Sequence, residues 1–202
     1  MPILFLDIET VSQQPDFEML DAAWQEAWKH KHAQLFRDQD TLPDISYAQR
    51  AAIYAEFGRV IVISCGYFQK QENTWHFRVK SFFGHDEKKV LTDFAELLGN
   101  TKPMKWDTLC AHNGKEFDFP YLCRRMTVQG IRIPPILNQQ GVKPWENAHL
   151  DTLDMWKFGD RKSFISLKLL CLTLGIPSPK DDISGEDVHE VYYKEKNLHR
   201  IA

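Results

Sequence analysis

Apolar and polar positions change period several times along the chain, and each change marks an element. Ile3 to Leu6 form a short apolar run that reads as a buried strand. From about Ser12 to Phe57 the pattern turns polar and helical, with the apolar residues of FEMLDAAWQEAWKHKHAQLF recurring at three- and four-residue steps. RVIVISCGYF (Arg59–Phe68) is β-branched and apolar, QKQEN is a polar turn, and TWHFRVKSFF (Thr74–Phe83) alternates, which together predict a hairpin. DEKKVLTDFAELLGN (Asp86–Asn100) is an amphipathic helix: Asp86 suits its N-cap, Gly99-Asn100 its end, and Val90, Leu91, Phe94, Leu97 and Leu98 line one face. A strand at Asp107–Asn113 and a helix over FDFPYLCRRMTVQG follow, then a short strand near Ala148–Trp156. Ser166 opens a compact helix stopped by Gly175 and Pro177, and Gly185 to Ala202 is again helical in pattern. This order predicts an α/β domain with one mixed sheet of about five strands flanked by helices. Its first three strands run antiparallel and the later ones join through helices.

Composition narrows the class. A chain of 202 residues suits one domain, spanning 1–202, with 12–57 as a helical insertion. A net charge of -3 argues against coating nucleic acid by bulk electrostatics. It leaves room for gripping a chain end through metal ions and a few local basic residues. Cys65, Cys110, Cys123 and Cys171 form no CxxC pair, so reduced thiols are expected. The apolar N-terminal run is broken by Asp7 and has no basic leader, and no apolar stretch approaches the roughly 20 residues that span a bilayer. A soluble, cytoplasmic protein with no membrane partner is the expectation.

Asp7 and Glu9 interrupt the first strand two positions apart, so both project from one face while Leu6 and Ile8 project from the other. Two acids held together at a buried strand repel each other and lose hydration, and a divalent cation relieves both penalties. A bare DxE is equally what a strand end dipping into solvent looks like. CAHNGKEFDFPYL adds a third acid, Asp118, just past a predicted strand and at the start of a helix, behind Asn113 and Phe117. Alone it reads as a helix cap. Beside a neighbouring first strand it would complete a hard-cation site of the magnesium or manganese type, with no histidine or cysteine cluster.

FLDIET together with AHNGKEFDFPYL resembles the first two motifs of the DEDD superfamily of 3′–5′ exonucleases. Within it the likeness is to a predicted exonuclease family related to the proofreading domain of family-B DNA polymerases. HLDTLDMWKFGDRKSFISLKLLCLTLGIPSPKDDISGEDVHEVYY resembles the stretch that follows there, while Ser12 to about Phe57 carries the least likeness. The resemblance implies a ribonuclease-H-like fold and two Mg2+ or Mn2+ ions about 4 Å apart. It implies that Asp7 binds both ions, that Glu9 holds one and helps position the attacking water, and that Asp118 anchors the second. The reaction implied is hydrolysis from the 3′ end of single-stranded nucleic acid, with DNA favoured and RNA trimming by the same acids an alternative.

The family's fourth aspartate and its tyrosine are not found in this chain. Tyr192 and Tyr193 are followed at the family spacing by Lys196 and Asn197, and the pair His149 and Asp154 falls too soon after Asp118. The expectation is a chain truncated before its last motif; without that acid, a weakly active binding module of the same fold is the rival. A phosphatase using the same acids is a third reading, with no phosphate-loop motif behind it. Lys157, Arg161, Lys162 and Lys168 form a candidate phosphate clamp or a solvated loop, and Phe117 and Phe119 candidate stacking side chains or core. Arg124 and Arg125 on the helix after the second motif are weaker candidates. Asn113 is expected to orient backbone near the site, Trp24 and Trp28 to pack within the insertion, and His112 to be a satisfied structural histidine.

Overall fold

The computed structural model describes the chain apart from residues 1, 37–39, 101–104, 161, 178–182, 184 and 186 and the side chain of residue 144. Five strands form one sheet in the order β3-β2-β1-β4-β5: β1 (Ile3–Ser12), β2 (Gly58–Gln71), β3 (Thr74–Phe83), β4 (Thr108–Ala111) and β5 (Leu150–Asp151). β1, β2 and β3 pair antiparallel, and β4 and β5 add in parallel, as the element order predicted. β1 runs well past the expected Leu6. Asp7 and Glu9 therefore sit inside a paired strand rather than at its end, opposite Ser64 and Val62, with a register shift after Glu9.

Alternation gives β1 two characters. Leu4, Leu6 and Ile8 are buried with Ile63 and Phe82 beneath α3 (Glu87–Gly99) and α4 (Asp118–Val128). α3 contributes Val90, Leu91 and Phe94, and its N-cap Asp86 accepts from the Lys89 N–H. α4 contributes Phe119, Leu122 and Met126. A buried ion pair ties these layers: Glu87 accepts from Arg125 Nε (2.8 Å) and Nη2 (2.6 Å) and from the Val60 N–H (2.8 Å). Arg125 is thus a structural side chain and not a surface contact for nucleic acid, whereas Arg124 is exposed.

The 12–57 segment is less helical than expected. It holds α1 (Ala22–Leu35), α2 (Pro43–Arg50) and two short 3-10 turns, Phe17–Met19 and Ala51–Ile53. It builds a satellite core of Leu20, Trp28, Tyr47, Ala51 and Phe57, so Trp28 packs as expected, and Trp24 lies edge-on against Phe57 at 5.6 Å. After β5 come α5 (Thr152–Lys157), α6 (Leu167–Leu174), α7 (Val188–Tyr193) and α8 (Leu198–Ile201). Ser166 caps α6 through the Leu169 N–H, and Gly175 ends it at φ +66°, a conformation glycine adopts without strain. Among the described residues no helix is long and apolar enough to cross a membrane.

Candidate active site

β4 pairs with β1 only from Ile3 to Phe5 and then ends at Ala111. The β4 side of β1 is therefore uncovered from there on, leaving a notch in the ladder. Asp118, at the first turn of α4, fills it: its Oδ1 accepts the Ile8 N–H at 3.2 Å, between Asp7 and Glu9. The third acid thus meets the first two through the backbone they share, and it is itself buried, at 3% exposure.

The turn that delivers Asp118 is built to close tolerances. Asn113 takes a left-handed φ of +61°, and its carbonyl accepts from the Phe117 N–H at 2.9 Å. Gly114 follows, where a Cβ would stand 2.4 Å from that of Ala111, so only glycine fits. Asp151, at the end of β5, clamps the turn from the side. Its carboxylate accepts the N–H groups of Asn113 (2.9 Å), Lys115 (3.1 Å) and Leu153 (2.9 Å). The strand expected near Ala148–Trp156 is only Leu150–Asp151, and Thr152–Lys157 is helical instead because Asp151 caps it; the sign of Asp151 in the sequence is an acid immediately before a short helix, the N-cap pattern.

Asp7 and Glu9 face a cleft of about 490 Å³. Phe5 and Phe77 line it on one side, and Val188, Arg200 and Ile201 of α7 and α8 on another. α7 is fixed by its two tyrosines: Tyr193 donates to the Ser12 carbonyl, and Tyr192 accepts from Arg59 at 3.0 Å. His112 also lines the cleft, but both ring nitrogens are engaged, Nε2 with the Ile165 carbonyl and Nδ1 with the Thr152 hydroxyl, each at 2.9 Å. His149 is structural too. Its Nδ1 accepts from the Leu109 N–H (3.3 Å) and its Nε2 donates to the Ile136 carbonyl (2.8 Å). Burial pushes its pKa below the usual histidine value, which favours this neutral ring. Burial likewise raises the Cys65 thiol, which faces the core opposite Leu6, to about 11, so it is a protonated, inert group.

The remaining candidates are scattered. Phe117 packs against the main core beside Tyr121, ring centroids 5.3 Å apart, and Phe119 is buried. Lys157 is held by Asp154 (3.3 Å), which also pairs with Lys115 (3.5 Å). Lys162 and Lys168 are exposed and, like Lys157, do not line the cleft; Arg161 lies outside the described residues.

The acids offer oxygen donors only, the chemistry that suits magnesium or manganese. Among the described residues no three His, Cys, Asp or Glu side chains are already gathered into a metal cage. The chemistry of the donor set, three carboxylates, fits a hard cation.

Comparison with known proteins follows this geometry. A family model described as a predicted 3′–5′ exonuclease related to the exonuclease domain of PolB matches residues 53–202. The match starts after Asp7 and Glu9, whose relation to Asp118 comes from the β1 ladder and not from the family model. A DNA polymerase of Pyrococcus glycovorans is 23% identical over 129 residues, covering 57% of this chain and 16% of the polymerase. Among solved structures, the family-B DNA polymerase of Pyrobaculum calidifontis superposes with a TM-score of 0.59 at 16% identity, over 99% of this chain and 22% of the polymerase. The zinc-bound E. coli ExoI–ssDNA complex gives 0.50 at 13% identity, over 99% of this chain and 42% of ExoI. The chain thus spans a small part of these proteins' length, and the structural likeness shows the ribonuclease-H-like fold that the resemblance implied.

Proposed function

We propose that this chain, which belongs to the family of predicted 3′–5′ exonucleases related to the exonuclease domain of PolB, removes nucleotides hydrolytically from the 3′ end of single-stranded nucleic acid. DNA is the favoured substrate, because the relatives include DNA polymerases and a nuclease complexed with single-stranded DNA. The observation that carries the reading is the Asp118 carboxylate on the Ile8 N–H, which sets three acids around one stretch of β1.

In this reading Asp7, Glu9 and Asp118 are the residues that would hold two Mg2+ or Mn2+ ions, which when bound would supply an activated water and stabilisation of charge on the leaving oxygen. The protein's own part is placement. The paired backbone of β1 holds Asp7 and Glu9 on one face, so little reorganisation remains when substrate arrives. Asp118 is oriented by the Ile8 N–H, and Asp151 keeps the turn before it from relaxing. α7 and α8 wall the cleft and limit the water around the acids.

Digestion of a 5′-labelled single-stranded DNA with manganese, beside an Asp7→Ala control, tests this. The expected result is a one-nucleotide ladder shrinking from the 3′ end, absent in the control. Saturable, metal-independent strand binding without a ladder would instead establish the binding-module reading.

A further inference from the structure

The face of the sheet that carries the acids also carries an uncovered aromatic row. Residues directly opposite in antiparallel strands share a face. Asp7 stands opposite Ser64 and that opposite Ser81; the next row is Phe5, Gly66 and Val79. Phe68 and Phe77 form the row after it, and Lys70 and Trp75 the last. At the opposite end α7 and α8 close this face, with Val188 and Leu198 packed on Val62. The hairpin end is open, and there Phe68, Trp75, Phe77 and Val79 are each at least half exposed.

These rings are ordered against one another. Phe68 and Phe77 have centroids 4.8 Å apart, and Phe5 meets them at 5.9 and 6.1 Å. Gly66 makes this possible, since a Cβ there would lie 2.6 Å from the Phe77 ring. The ring lies down on the sheet over the glycine. Phe5 and Phe77 also line the cleft of Asp7 and Glu9, so the aromatic surface and the acid cleft are continuous.

We infer that Phe5, Phe68 and Phe77 form a stacking platform for the bases of the strand whose 3′ end enters the cleft, an inference that rests on the function proposed above. Exposed rings on a sheet face cost free energy unless a ligand covers them, and every nucleobase offers a π-face, so stacking serves a sequence-tolerant nuclease. Polar positions suit a strand better than an apolar helix: Ser64 and Ser81 interrupt the face. Lys70 places a cation for the backbone six residues along β2 from Ser64, about 20 Å at the usual strand rise.

The test compares an octathymidylate with the same sugar-phosphate backbone carrying abasic sites, by fluorescence anisotropy in chelator so that nothing is hydrolysed. The wild-type chain should bind the thymidylate at least about tenfold more tightly than the abasic strand. The double variant Phe68→Leu/Phe77→Leu keeps the surface apolar and should erase that preference, while Phe68→Tyr/Phe77→Tyr should keep it. A preference that survives in the leucine variant, or equal wild-type affinity for both strands, overturns the platform and leaves strand binding standing. A wild-type chain that binds neither strand overturns the platform, whereas the proposed function is decided separately by the manganese digestion ladder. Sedimentation covers the other occupant: a wild-type dimer made monomeric by the leucine variant, with no change in strand affinity, assigns the face to a second copy and overturns the inference.

Discussion

Neighbouring residues of β1 serve opposite ends. Leu4, Leu6 and Ile8 point into the packed core, while Phe5, Asp7 and Glu9 point toward the cleft. Nothing in the backbone separates the two sets beyond the two-residue period of a strand. The difference teaches that stability and chemistry are segregated by face, so each can be disturbed with little effect on the other. It also means that β1 tolerates no slip, since a one-residue shift would bury the acids and expose the leucines.

The sharpest test is a pair of variants. Arg125→Met on the core side strands Glu87 as a buried charge with its strongest partner gone, and should cost about 3–5 kcal/mol in urea unfolding. The hydrolytic rate per folded molecule should be unchanged. Asp7→Asn on the cleft side should lower the rate of single-strand digestion at least about 100-fold and leave the urea midpoint where it was. A cleft-side variant that unfolds the protein would break the comparison.

Asp151 sits at the join of the two regions and should show both effects. In Asp151→Asn the amide keeps one acceptor oxygen for Asn113 and Leu153 and sets its NH2 donor against the Lys115 N–H, costing about 1–3 kcal/mol of stability. The looser turn should also slow digestion, to a lesser degree than Asp7→Asn. Loss of stability with an unaltered rate would show that the turn does not position Asp118.

The smallest effect is the pH dependence of stability. Burial lowers the pKa of His149 and of His189 in the folded chain. The unfolded chain therefore takes up protons first as pH falls through about 6.5, and stability is lost below that point, by at most about 1.4 kcal/mol per pH unit for each histidine. Urea midpoints from pH 7 down to 5 should show this limb, and His149→Gln should flatten it.

Local pattern carried most of the elements. The hairpin, the Asp86-capped α3, the Ser166-capped α6 with Gly175 at its end and the antiparallel-then-parallel order were all legible, because period, caps and turn residues act within a few positions of themselves. Asp7, Glu9 and Asp118 were legible as a pattern of acids. The full length of β1 was not, since two carboxylates inside a ladder look like its end until the partner strand is known.

The sequence by itself thus determined the order of most strands and helices, that Asp7 and Glu9 share a face, and that the candidate site is made of carboxylates. Only the tertiary structure decided that Asp118 reaches the Ile8 N–H across 110 positions of chain, that Asp151 clamps the turn before it, and that Arg125 turns inward to Glu87. It also decided that Phe5, Phe68 and Phe77 gather beside the acids. The reason is range: propensity and periodicity are properties of neighbouring residues, whereas these contacts arise from strand register and helix packing, which bring distant residues together only when the whole sheet is assembled.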